Sequence, residues 1–320
     1  MIRGKITFHM PLFLVFLLVV WLLAIASLFT HFIPADRDST DRWVALITSF
    51  RFGNVLWELA SSHGIARERK ARWCVMDGDG WLSEYSKYID WRVDAPERCP
   101  GFSFILPFFH YLALFEEVTD AGDGDFAAYS RNYALSPSPR IVANGFLQSF
   151  KYFDKTIPIP FRLVSESLAK AWVAERNITA AIHVRRGDKL TEFANIVPSL
   201  DYYYRAVATL GYLFPNQTHR FVVSTDDEAW VRGNPFFRDM YVVSSANPSF
   251  DMAVIAACQH KIISIGTFGW WGAFLNDNGT NHTSAVIYPL PQVEEVWKDR
   301  FHNDDYFPPH WTPLYYRDIP

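Results

Sequence analysis

Two adjacent arginines, Arg185 and Arg186, follow an apolar run at 180–184 and lead into Gly187 and Asp188. A guanidinium fork grips a pyrophosphate through paired, charge-assisted hydrogen bonds. Asp188 could hold one arginine in place or meet a nucleotide itself. The plainer reading is an ion-pair cluster that braces a loop. A second acidic group, Ser224-Thr-Asp-Asp227, ends the run beginning at Arg220. Asp226 and Asp227 could bond a ribose or a guanine edge, and either could cap the helix that follows. A third segment, Gly266-Thr-Phe-Gly-Trp-Trp271, offers backbone N–H groups where a strand passes into a helix, a place that attracts phosphate. Phe268 there could stack on a ligand, whereas Trp270 and Trp271 read as core. A fourth, Phe50-Arg-Phe-Gly-Asn54, reads as a turn in which Gly53 permits close backbone approach. From that turn Arg51 and Asn54 could reach into a cleft.

Other chemistries find little support. Asp77-Gly-Asp79 and Asp123-Gly-Asp125 read as turns and not as metal ligands, because no apolar strand precedes them. No Cys-x-x-Cys pair and no His/Cys cluster suggests a metal, and no Gly-x-Ser-x-Gly elbow suggests a serine hydrolase. The net charge of -4 and the absence of a long basic run argue against a nucleic-acid partner.

These segments need strands and helices to place them. Residues 43–48 read as a buried strand, 49–54 as a turn and 55–70 as a helix, which is how a dinucleotide-binding unit opens. The stretch 73–139 is irregular, and 144–153 closes the first half. Beyond it, 161–176 reads as helical. Strands at 180–184, 220–225, 241–244, 260–265 and 285–288 alternate with helices at 200–210 and 249–259. That alternation implies a doubly wound parallel sheet, with ligands at the carboxyl ends of its strands.

The chain has 320 residues, and half of them are apolar. Residues 10–29 form an uncharged apolar run of about the ~20 residues that cross a bilayer. Arg3 and Lys5 precede it, so the N-terminus is expected to stay cytosolic. The expected organisation is a tail (1–9), a transmembrane anchor (10–30), a stem (31–42) and two α/β domains (43–160 and 161–320). The chain's end is expected to return to the first domain. Four acceptor sequons, at Asn177, Asn216, Asn278 and Asn281, agree with a lumenal body. Of the three cysteines, Cys74 and Cys99 could pair there, and Cys258 reads as a buried small hydrophobe.

The ordered set of segments resembles the alpha-1,2-fucosyltransferase family, most closely its animal members. His183-Val-Arg-Arg-Gly-Asp188 is similar to the family's His-x-Arg-Arg-x-Asp motif. The block 262–275, Ile-Ile-Ser-Ile-Gly-Thr-Phe-Gly-Trp-Trp-Gly-Ala-Phe-Leu, looks like its most distinctive stretch. The segment 221–227 with Trp230, Arg51-Phe-Gly-Asn54, Gly145-Phe-Leu-Gln-Ser149 and Pro308-Pro-His-Trp311 resemble others, so the likeness spans 43–313. Phe50 and Val55 depart from a usual Gly and Gln, which sets the acceptor side apart.

The resemblance implies a GT-B-like fold of two Rossmann-like domains facing a cleft. It implies fucose transfer from GDP-fucose to the 2-hydroxyl of a terminal galactoside, with inversion and without a cofactor or required metal. A protein O-fucosyltransferase-like activity and a non-catalytic glycan-binding module are the alternatives. Arg185 would meet the diphosphate, and Asp188 would orient it or the nucleotide. Asp226 or Asp227 would meet the GDP, alongside Arg186. Gly266, Thr267 and Phe268 would flank phosphates and base. Asn54, beside Gly53, would contact phosphate or the acceptor hydroxyl. Asp188 and His183 are the candidate proton acceptors. A single-pass Golgi enzyme with a lumenal catalytic body is the expected setting.

Overall fold

Most strands here are short apolar runs, and they alternate with helices. The computed structural model describes residues 41–47, 51–76, 80–99, 116–119, 127–153, 158–192, 194–277 and 283–316. In chain order the elements used below are β1 (Trp43–Ile47), α1 (Phe52–Arg69), β2 (Arg72–Met76), β3 (Ile89–Trp91), β4 (Glu97–Arg98), β5 (Glu116–Thr119), β6 (Arg140–Asn144), β7 (Phe161–Leu163), α2 (Glu166–Glu175), β8 (Ala180–Val184), α3 (Leu200–Leu213), β9 (Phe221–Thr225), α4 (Glu228–Gly233), β10 (Tyr241–Val243), α5 (Pro248–Ala257), β11 (His260–Ile262), α6 (Thr267–Phe274), β12 (Val286–Leu290) and β13 (Thr312–Tyr315).

Two parallel sheets result. The first runs β4-β2-β1-β6-β5, and the second β10-β9-β8-β11-β12-β13. The alternation of strand side chains decides what each face touches. In β1, Val44 and Leu46 enter the large central core, while Trp43 and Ala45 face a smaller one with Met76, Val142 and the disulfide pair Cys74–Cys99. In β8, Ala180, Ile182 and Val184 pack on Tyr202 and Tyr203 of α3, and Ala181 takes the central side.

Each sheet reverses its direction of growth once. From β1 the chain adds β2 and β4 on one side, then β5 on the other, with β6 following between β5 and β1. From β8 it adds β9 and β10 on one side, then β11, β12 and β13 on the other. Such a switch point leaves a crevice beyond the carboxyl ends of the two central strands, where ligands of open α/β sheets bind. The first crevice lies beyond β1 and β6, the second beyond β8 and β11.

Aromatic rings join the two halves beneath these crevices. Trp57 of α1 lies 4.1 Å from Trp270 and 5.3 Å from Trp271, both on α6, and 5.6 Å from Tyr306. Trp270 Nε1 donates to the Tyr306 carbonyl at 2.8 Å. All four rings are buried, as expected for Trp270 and Trp271. Each such ring removes roughly 150–250 Å² from water, and this shared core fixes α1 against α6.

Several expectations need correction. No helix among the described residues is long and apolar enough to cross a membrane. The longest, α1, carries Glu58, His63, Arg67, Glu68 and Arg69. The expected anchor at 10–30 lies outside the described residues, as do the tail and all of the stem before Asp41. The fold class is therefore corrected: the described residues form an α/β body, and no helix among them is long and apolar enough to cross a membrane. Residues 161–163 form β7, paired antiparallel with β3, and the helix begins only at Glu166. Phe52, Gly53 and Asn54 belong to the first turn of α1, not to a loop before it. The two Asp-Gly-Asp stretches, with Asn278 and Asn281, lie outside the described residues, but an apolar strand, β2, does run up to Asp77, contrary to expectation.

Candidate active site

The second switch point carries the charges. Arg185 leaves the end of β8 with its side chain held by two carboxylates, Asp226 beyond β9 and Asp188 three residues on. Asp226 also accepts the Arg186 backbone N–H at 2.8 Å. Gly187 allows this approach, since a Cβ there would stand 2.5 Å from Asp226 Oδ2. Burial draws the Arg185 pKa below its ordinary value, and Asp188 draws it back. A guanidinium keeps its proton through such a shift. Burial pushes Asp188 up, but Arg185 and Arg51 outweigh it and hold the carboxyl below its usual range.

The first switch point supplies the opposite wall. Arg51 Nη1 reaches across to Asp188 Oδ2 at 2.7 Å. No side chain caps the start of α1 or of α6. Gly266, the residue before α6, has φ 89°, which suits glycine. The two helix starts abut so closely that a Cβ on Gly53 would lie 2.5 Å from Thr267 Oγ1. Thr267 Oγ1 donates to Asn54 Oδ1 at 3.0 Å, closing that seam. Between the walls lies a cleft of ≈ 740 Å³, lined among others by Arg51, Gly53, Asn54, His183, Arg185, Asp188, Asp226, Gly266, Thr267 and Phe268.

Most of the residues singled out from the sequence thus meet at one cleft, and two do not. Arg186 turns behind the wall, with its guanidinium 4.1 Å over the Trp230 ring and Nε on Asp227 Oδ2 at 3.2 Å. Asp227 caps α4, accepting the Trp230 N–H at 3.0 Å. These two brace the loop; Arg185 and Asp226 face the cavity.

A model of the glycosyl transferase family 11 matches residues 167–314. The chain is 32% identical over 287 residues to the O-antigen biosynthesis glycosyltransferase WbnK of Escherichia coli, covering 74% of this chain and 90% of that one. The chain belongs to glycosyl transferase family 11. It is also 30% identical over 262 residues to the galactoside 2-alpha-L-fucosyltransferase SEC1 of Bos taurus, covering 78% of this chain and 59% of that longer one. Among solved structures, the fucosyltransferase NodZ from Bradyrhizobium superposes with a TM-score of 0.50 at 17% identity, covering 74% of this chain and 93% of that one. The same figures hold for NodZ alpha-1,6-fucosyltransferase co-crystallized with GDP. That likeness establishes the common α/β glycosyltransferase fold.

In this family 11 chain the cleft also includes residues that the sequence did not disclose. Asp251 of α5 is buried at the cavity wall and accepts both the backbone N–H (2.8 Å) and the hydroxyl (2.7 Å) of Ser245. Burial raises its pKa, and the two Ser245 bonds oppose that. Its one sequence signal is an acid in the first turn of a helix, which reads as a dipole partner. Tyr85 enters from a short helix that the irregular middle concealed, packing 5.4 Å from the Phe52 ring. His183 is buried in the wall, its ring 5.7 Å from Phe268, with Nδ1 accepting the Ser264 N–H at 3.4 Å. Burial, with Arg185 adding, pushes its pKa down to about 3, so the ring is neutral.

Proposed function

We propose that this chain transfers L-fucose from GDP-fucose to the 2-hydroxyl of a terminal galactoside, with inversion to an alpha-1,2 linkage. The observation that carries the reading is the facing of two switch points in a family 11 chain. One supplies Arg185, and the other adds a helix start that abuts the start of α6. As the anomeric C–O bond breaks, negative charge gathers on the departing diphosphate. Arg185 and the N–H groups at the starts of α1 and α6 meet that charge without reorganising, which is where preorganised donors lower a barrier most. With a cation and two helix dipoles on the leaving group, the reaction needs no metal.

Asp251 gives the base end of the cleft an acceptor suited to the N1–H and exocyclic amine of guanine. The acceptor sugar enters past Arg51 and Tyr85. His183, neutral and already accepting a hydrogen bond, is a wall and a weak proton acceptor. Asp188, paired with two arginines, is also a weak base. The catalytic burden therefore falls on the leaving group, and the acceptor proton departs late, to Asp188 or to water. The disulfide and the exposed sequons at Asn177 and Asn216 favour an oxidising lumen, such as that of the Golgi.

The test is GDP release from GDP-fucose with lactose-type acceptors, with and without a chelator, followed by linkage analysis of the product. Expected are chelator-insensitive release and a fucose on the galactose 2-hydroxyl. Transfer to another hydroxyl, or no transfer to any galactoside, would overturn the reading.

A further inference from the structure

Beyond the carboxyl end of β6 the chain takes an unusual path. Gly145 has φ 133°, and Leu147, a fully buried non-glycine residue, has φ 52°. A branched side chain in the left-handed region persists where surrounding structure holds it, and such positions gather at functional sites. Two bonds hold this one. The Ser61 hydroxyl of α1 donates to the Leu147 carbonyl at 2.7 Å, and the Ser149 backbone N–H donates to the same oxygen at 2.9 Å. Ser149 is anchored in turn, its hydroxyl donating to the Asp305 carbonyl at 2.8 Å.

The product of this turn is the placement of Gln148. It is buried, and its Nε2 donates to Asn54 Oδ1 at 3.3 Å. The same oxygen accepts the Thr267 hydroxyl. Asn54 Oδ1 thus has both of its acceptor sites filled. Turned over, the amide would set its own NH₂ group against that of Gln148, while the Thr267 hydroxyl, which accepts as well as donates, would not oppose the turn. Nδ2 makes no hydrogen bond among the described residues, and Asn54 lines the cleft.

We propose that Gln148 is a positioning residue for donor binding: by donating to Asn54 Oδ1 it holds the Asn54 side chain so that its two N–H groups, and not its oxygen, face the diphosphate. This rests on the reading of the cleft as a nucleoside-diphosphate site. It gives a physical reason for the strained turn, since a relaxed Leu147 would aim the next side chain elsewhere.

Gln148→Glu tests it. A carboxylate has no donor for Asn54 Oδ1 and would draw Nδ2 toward itself, turning an oxygen onto the diphosphate. GDP affinity, measured by calorimetry on the full chain, and kcat/KM for GDP-fucose are expected to fall by about tenfold or more. Gln148→Leu keeps the volume but leaves Asn54 free to rotate, and its loss is expected to be smaller, at about threefold. Neither is expected to move Tm by more than a few degrees. In an Asn54→Ala background, Gln148→Glu should cost nothing further, because its effect runs through that amide. Wild-type GDP affinity in Gln148→Glu, or equal losses with and without Asn54, would overturn the proposal while leaving the active-site reading intact. Failure of the unsubstituted chain to bind GDP would overturn both.

Discussion

Arg185 is flanked by Asp188 and Asp226 and sits at the end of a fully buried strand, so its fork is aimed before any substrate arrives. Losing one preorganised donor of this kind costs about 3–4 kcal/mol of barrier, so Arg185→Ala should lower kcat by roughly two to three orders of magnitude. Arg185→Lys should fail similarly, because a point charge lacks the fork. Near-normal turnover in either, with Tm unchanged, would remove Arg185 from its role. Asp251→Asn replaces one acceptor oxygen by a donor. GDP affinity should drop by about tenfold or more, the worth of a hydrogen bond to a charged group. Affinity for inorganic pyrophosphate should hold, and an equal loss for both ligands would deny that Asp251 serves the base. At this scale the sequence spoke through adjacent charges. Arg185, Asp188 and Asp226 announced themselves, whereas Asp251 sits alone in an apolar helix and needed the fold to show which wall it joins.

Among the elements, α1 and α6 matter most, since their starts meet at the cleft floor. Replacing glycine by alanine inside a helix ordinarily stabilises by roughly 0.5–1 kcal/mol. Gly53→Ala should reverse that sign. Its new methyl would stand 2.5 Å from Thr267 Oγ1 and 3.1 Å from backbone atoms of Thr267 and Phe268, so the two starts must part. Expected are a modest fall in Tm and a large loss of GDP affinity. Gly64→Ala, at the far end of α1, would meet the Tyr152 carbonyl oxygen at 1.9 Å. There the backbone itself must shift, and a loss of about 3 kcal/mol or more is expected in denaturant unfolding. A stability equal to wild type would contradict this packing. Strands β1, β8 and β9 were legible as apolar runs bounded by polar residues. β2 and β6, which flank β1, were hidden in segments of mixed composition, and β13 follows a proline-rich stretch. Such strands are defined by the neighbours they pair with, and pairing partners lie far off in sequence.

Across the molecule, three buried histidines make the fold sensitive to acid. Burial lowers His63, assisted by Arg67, to about 4, His183 to about 3, and His260, assisted by His219, to about 4. The unfolded chain takes up these protons near pH 6.5, and the folded one does not. Their stabilising contribution is therefore complete above pH 6.5 and is lost progressively as pH falls toward 4 and 3. Each costs up to ~1.4 kcal/mol per pH unit below 6.5, so roughly 4–6 kcal/mol should disappear between pH 7 and 5. Thermal unfolding at the two pH values should show a Tm several degrees lower at pH 5. A flat or rising Tm would mean that these rings are already protonated in the fold. Over the same range His183 should add no inflection to the pH–rate profile.

The sequence by itself determined the alternation of strands and helices, the family, and the charged clusters at strand ends, because these depend on neighbours within a few residues. The tertiary structure alone decided which charges share a cavity. It sent Arg185 into the cleft and Arg186 back onto Trp230, although the two are adjacent, because successive side chains leave an extended backbone on opposite faces. It brought Gln148 and Thr267, 94 and 213 residues away, onto one Asn54 oxygen, since the turn after β6 and the packing of α1 on α6 set those distances.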